Sequence, residues 1–102
     1  MISPSKIPRS VRVGGETFAI RIEPMDDWGK CSWDKRTITL APAALASRAV
    51  MRTTLFHELT HAALMVSGQA WAEKFDEEPI VRAIEHLLFP AWESIEPKLR
   101  KI

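Results

Sequence analysis

SRAVMRTTLFHELTHAALMVSG, residues 47–68, decides how the rest of the chain is read. Met51, Leu55, Leu59, Ala62 and Val66 recur at helical spacing and form one apolar stripe. Val50 and Leu64 share the opposite face with His57 and His61. A helix that is apolar on two sides is buried on two sides. The pattern therefore predicts one long helix between a sheet and a second helical element. Ser47 suits the N-cap, because its hydroxyl can accept from a free N–H of the first turn. Gly68 suits the position just past the C-terminus, where positive φ costs glycine little.

Upstream of this helix the period is two. Val11, Val13, Phe18, Ile20 and Ile22 alternate around Gly14-Gly15, which predicts a β-hairpin with a primed turn. Pro24 ends the second strand. Residues 25–36, MDDWGKCSWDKR, are turn-rich, with room for a short strand near Cys31 to Trp33. TITL at 37–40 reads as a further strand, closed by Pro42. Downstream, Asp76 is placed to cap a last helix, with Glu77 and Glu78 in its first turn and Pro79 where its missing N–H costs little. Ile80, Val81, Ile84, Leu87 and Leu88 mark its buried stripe, and Pro90 inside the pattern predicts a kink or break. The expected fold is α+β. A short N-terminal antiparallel sheet of three or four strands precedes the His-bearing helix and a C-terminal helix. Residues 10–102 are expected to form a single domain, behind a flexible arm at 1–9 that carries Pro4 and Pro8.

The composition bounds the function. At 102 residues the chain has room for one compact domain. With 46% hydrophobic and 26% charged residues it has a globular balance. A net charge of +1 gives no reason to expect nucleic acid or an anionic membrane as partner. Cys31 is the only cysteine, so no internal disulfide can form. No apolar run reaches the length of a membrane span, and MISPSKIPRS lacks the apolar stretch of a signal peptide. The expectation is a cytoplasmic protein.

The chemistry sits in HELTH, residues 57–61. Residues four apart lie on one helix face, with Cβ atoms roughly 5–6 Å apart. His57 and His61 can therefore each direct an imidazole nitrogen toward one metal ion. Zinc suits neutral imidazole ligands in a tetrahedral set. Glu58 lies about 100° round the helix, within reach of a metal-bound water rather than of the metal. Zinc lowers the pKa of such a water to about 7, and a carboxylate can take its proton and pass it to a leaving amine. Two histidines and a glutamate on a buried stretch would be costly without compensation.

Such a site needs a third ligand. A metzincin pattern is excluded, because Leu64 and Ser67 stand where its glycine and third histidine would be. A deformylase-like cysteine ligand could only be Cys31, whose surroundings lack that family's motif. The remaining source is a carboxylate from the last helix, among Glu73, Asp76, Glu77, Glu78 and Glu85. At about 100° per residue Glu77 aligns with Ile80, Val81, Ile84 and Leu88, while Glu78 turns toward Arg82 and Glu85. Glu77 is the expected ligand and Glu78 the alternative. His86 falls on the face opposite Glu77 and reads as an exposed helix histidine. The chain has no tyrosine to serve as a second oxyanion donor.

WGKCSWDKRTITL, TLFHELTHAAL and EEPIVRAIEHLL together resemble the small zincin-like metallopeptidases of phages and mobile elements, relatives of the ImmA/IrrE-like family. The resemblance implies a short antiparallel sheet before the HExxH helix and a glutamate ligand from a later helix. It implies His57 and His61 as zinc ligands, Glu58 as catalytic base, and Glu77 or Glu78 as third ligand. Members cleave regulatory proteins such as repressors, so the implied partner is a protein or peptide substrate in a bacterial or phage-related cytoplasm. The chain departs from larger members in having no helix-turn-helix module. Zincin-type sites take substrate as an added strand at a sheet edge. TITL or the stretch around Cys31 would then receive it, with Trp28, Trp33 and Trp71 lining the cleft. Two other readings remain open. One is a catalytically inactive zincin-fold binding module with a structural metal; the other is a structural phage protein with a fortuitous motif.

Overall fold

The computed structural model describes residues 1–68 and 76–101; Trp71 and Glu73 lie outside the described residues. A 3₁₀ turn at Pro4–Lys6 precedes four strands: β1 (Ser10–Val13), β2 (Glu16–Ile22), β3 (Gly29–Ser32) and β4 (Thr37–Leu40). A 3₁₀ turn at Pro42–Leu45 leads into α1 (Arg48–Ser67). α2 (Glu77–Ala83), a π turn (Ile84–Leu88) and α3 (Phe89–Leu99) follow. The expected α+β order of sheet, His-bearing helix and C-terminal helices is the observed one. Among the described residues no helix is long and apolar enough to cross a membrane.

The strand order is β1-β2-β4-β3. β1–β2 and β3–β4 are antiparallel hairpins, whereas β2 and β4 pair in parallel, Ala19 opposite Thr37 and Ile22 opposite Leu40. β4 is therefore bonded on both sides, and among the described residues no strand pairs with the outer edge of β3. The β1–β2 loop is Gly14-Gly15, with positive φ at Gly14 (60°), the position where a type II′ turn needs it. A Cβ at Gly14 would stand 2.9 Å from Val66 Cγ1, so the hairpin tip also rests on the end of α1. At the N-terminus, Ile2 N–H donates to Leu45 O at 2.7 Å, and Ile7 is buried.

Alternation puts Phe18, Ile20 and Ile22 of β2 on the same face as Ile38 and Leu40 of β4. Phe18, Ile38 and Leu40 are fully buried. Against that face pack Met51, Leu55, Leu59, Ala62 and Val66, the stripe read from the sequence. The α1 termini are also where the sequence sets them. Ser47 Oγ accepts from Val50 N–H at 3.1 Å, and Gly68 takes the left-handed conformation with φ 85°. The other side of α1 contacts α2 and the π turn, so the helix lies between sheet and helices.

Asp76 caps α2, its carboxylate accepting from Glu78 N–H at 3.3 Å. Pro90 opens α3, and the helical ladder changes just before it: Phe89 N–H bonds Ile84 O, an i→i+5 step. The helix passes through this wider turn instead of breaking at the proline. Phe89 is buried and stacks on Phe56 of α1, ring centroids 3.9 Å apart. That contact fixes the π turn beside the middle of α1.

Candidate metal centre

α1 presents His57 and His61 one turn apart toward α2. Their Nε2 atoms face each other at 3.2 Å. Glu78 Oε1 lies 2.8 Å from His61 Nε2. One ligand atom from each of His57, His61 and Glu78 falls within 4.8 Å of the others. Three donors about 2.0–2.1 Å from one zinc in a tetrahedral set stand roughly 3.3 Å apart. Two imidazole nitrogens and one carboxylate oxygen at the observed spacings fit that set.

The opposite ring nitrogens also meet carboxylates. His57 Nδ1 is 2.7 Å from Glu85 Oε2, and His61 Nδ1 contacts Glu77 Oε1. The side chains of Glu77 and Glu85 are 21% and 15% exposed, against 47% for Glu78. The buried stripe expected of this helix is only partly observed: Val81 is buried, whereas Ile80, Leu87 and Leu88 are exposed, because α2 and the π turn meet α1 along a narrower line than the apolar pattern suggested. The two adjacent acids meet different nitrogens of the same histidine, Glu77 at Nδ1 and Glu78 at Nε2.

Glu58 is buried beside them. A Cβ on Gly29 of β3 would stand 3.1 Å from Glu58 Oε2 and 3.2 Å from its Cγ, so glycine is what lets the edge strand lie over this carboxylate. Burial pushes the Glu58 carboxyl above its ordinary value. His57 and His61 oppose the rise, and Glu78 and Glu85 add to it.

A cleft of about 990 Å³ opens over these groups, between the β3 edge and α2. His57, Glu58, His61 and Glu78 line its floor, and Trp28, 56% exposed, stands on its rim. Trp33 instead packs toward Phe18, with the Arg36 guanidinium 3.4 Å over its ring. Cys31 reaches the cleft wall, its Sγ 3.9 Å from Met65 Sδ. Burial, with Glu58 and then Glu77 nearby, pushes its thiol up to about 12. Cys31 is outside the His57, His61, Glu78 group.

His86 is exposed, as expected, but it lines the cleft, with Nε2 4.0 Å from Glu85 Oε2. Two residues of the site were not singled out by sequence reasoning. Glu85 stood only among the possible ligands, although it follows Glu78 by seven residues, two helical turns, and so shares its stripe. Gly29 carried only the general signal that a glycine within a strand marks close approach.

No curated protein and no solved structure matches the chain. Residues 14–78 match the SprT-like family. The matched span runs from the β1–β2 turn through the whole of α1 to Glu78. It takes in β2, β3 and β4, HELTH and both adjacent acids at the start of α2. The resemblance to zincin-like metallopeptidases holds at that level, and the family matched is SprT-like, not ImmA/IrrE. A sheet of this order, a His-bearing helix packed across it and a His-His-Glu cluster at the helix interface thus belong to one chain, and that chain is a member of the SprT-like family, a zincin-like, metallopeptidase-related family.

Proposed function

We propose that the protein is a zinc-dependent peptidase with His57, His61 and Glu78 as metal ligands and Glu58 as catalytic base. The observation that carries this reading is the convergence of two imidazole nitrogens and a carboxylate oxygen from two helices on the floor of an open cleft. Glu78 is preferred to Glu77 as third ligand because its oxygen lies with the Nε2 atoms, while Glu77 is engaged at Nδ1 of His61. Zinc held by these residues would supply Lewis acidity to a peptide carbonyl and to water. The donor set suits zinc, and the availability of metal in the cell decides among divalent ions.

Glu58 supplies the proton chemistry. It takes a proton from the water that adds to the peptide carbonyl carbon, then delivers it to the amide nitrogen as the C–N bond breaks. The products are a carboxylate and an amine. Burial under Gly29 keeps the carboxylate out of bulk water, where a base with a raised pKa is stronger.

The substrate in this reading is an extended protein or peptide segment. β4 is paired on both sides, so of the two strands considered from the sequence β3 alone has an edge with no strand partner among the described residues, and it lies beside the cleft. Trp28 at the start of that edge offers an apolar surface to a substrate side chain.

The decisive experiment compares wild type with Glu58→Gln on a peptide library cleaved in the presence of zinc. Hydrolysis by the wild type and its loss in Glu58→Gln, with one zinc retained per chain in both, is the expected result. Full activity in Glu58→Gln would overturn the mechanism. One zinc per chain with no wild-type turnover would replace it with a metal-stabilised binding module.

A further inference from the structure

We infer that Glu85 is a positioning residue for His57, holding the imidazole so that Nε2 is left free to bind metal, as Glu77 does for His61. The inference rests on the proposed zinc site and adds a residue that lies beyond the span matched to the family.

A neutral imidazole carries one N–H, and its other nitrogen holds the lone pair that binds a metal. A carboxylate at Nδ1 accepts a hydrogen bond and fixes the proton there. His57 Nδ1 stands 2.7 Å from Glu85 Oε2, a charge-assisted hydrogen-bond distance, and His61 Nδ1 meets Glu77. Both rings therefore carry Nδ1–H and turn their lone pairs inward. The consequence is an electrostatic demand. The two Nε2 atoms lie 3.2 Å apart, with Glu78 Oε1 2.8 Å from one of them. Two lone pairs and an anionic oxygen at these separations repel one another unless a proton or a metal ion sits among them. The carboxylates behind the rings raise the basicity of the nitrogens in front.

The fold delivers Glu85 by a specific route. It lies in the π turn Ile84–Leu88, and the stacking of Phe89 on Phe56 anchors that turn to α1 one residue before His57. Glu85 is 15% exposed, so its carboxylate is withdrawn from water and committed to the ring. His86 Nε2 stands 4.0 Å from the same Glu85 oxygen and its side chain is 69% exposed, a weak competitor for His57.

The test measures zinc affinity by competition with a chelator, together with the ring N–H proton resonance of His57 in zinc-loaded protein. Glu85→Ala should bind zinc about 10–100-fold more weakly. It should also lose the slowly exchanging, downfield Nδ1–H signal of His57 while keeping that of His61. Glu85→Gln, whose amide oxygen can still accept, should keep the His57 signal and recover part of the affinity. A merely structural role for Glu85 would change thermal stability but not that resonance. Unchanged affinity and an unchanged His57 signal in Glu85→Ala, with one zinc still bound to the wild type, would overturn the positioning role and leave the zinc site standing. Failure of the wild type itself to bind zinc would overturn both.

Discussion

The two faces of α1 are held by opposite kinds of interaction. Toward the sheet, Met51, Leu55, Leu59, Ala62 and Val66 meet Phe18, Ile38 and Leu40 in an apolar layer. Toward α2, Glu58 and His61 are buried and His57 half-buried, facing Glu77, Glu78 and Glu85. The first face gains free energy by excluding water. The second spends it, because four carboxylates share a small volume with two imidazoles. One helix thus joins a layer that stabilises the domain to a layer assembled for chemistry, and the apolar layer must hold the ionisable one in place.

Three further measurements probe this contrast. The largest effect is expected on the apolar face. Phe18 is fully buried, and Phe18→Ala should cost about 3–5 kcal/mol in a urea titration, enough to unfold a marginal domain of this size. A cost under about 1 kcal/mol would mean that the sheet face is not the main source of stability.

The second measurement concerns the ionisable face and should run the other way. The folded pKa of Glu58 lies above its unfolded value of about 4.5, so the protonated form favours folding. The penalty for ionising it develops as pH rises from the unfolded value through the folded one, and it is fully present above both. Glu58→Gln should therefore raise the melting temperature of the metal-free protein at the alkaline end of that window and leave it little changed near pH 4. Each kcal/mol relieved would appear as about 4–8 °C. An equal shift at both pH values would remove the electrostatic explanation.

The smallest effect belongs to Cys31, on the cleft wall between the two layers. With its thiol pushed up to about 12 it should react with iodoacetamide far more slowly at pH 7.5 than a free thiol, and Cys31→Ala should change zinc affinity by no more than about twofold. Rapid alkylation of the native protein would show that this wall is open to solvent.

What could be read from the sequence was local. Ser47 and Gly68 bracket α1 because caps act on their own helix ends, and Asp76 marks the start of α2 for the same reason. Gly14-Gly15 announced the first hairpin because positive φ is a property of one residue. The parallel pairing of β2 with β4 was not legible. It sets Ala19 beside Thr37 across an intervening strand, and alternation says which face a strand buries but not which neighbour it takes.

The site divides in the same way. His57, Glu58 and His61 lie within five residues, and their geometry follows from the helix. Phase along α2 set Glu77 apart from Glu78 but turned Glu85 away with Glu78, although Glu85 is the least exposed of the three. It could not say which imidazole nitrogen each would meet, since that depends on how two helices cross. The pairing of Glu85 with His57 spans 28 residues and passes through a π turn, and a count at 100° per residue does not foresee such a turn.

The edge of β3, unpaired among the described residues, carries a hazard as well as an opportunity. Any extended chain can pair with it, including the same strand of another copy, and sheet growth of that kind ends in aggregation. Two features limit this. The strand is four residues long, too short to build a stable ladder alone, and Lys30 projects an exposed cation from it. Two copies approaching edge to edge would bring their lysines together, whereas an uncharged or acidic segment would meet no such repulsion. The brevity of β3 therefore filters what can join it: a partner must be held by contacts beyond the strand.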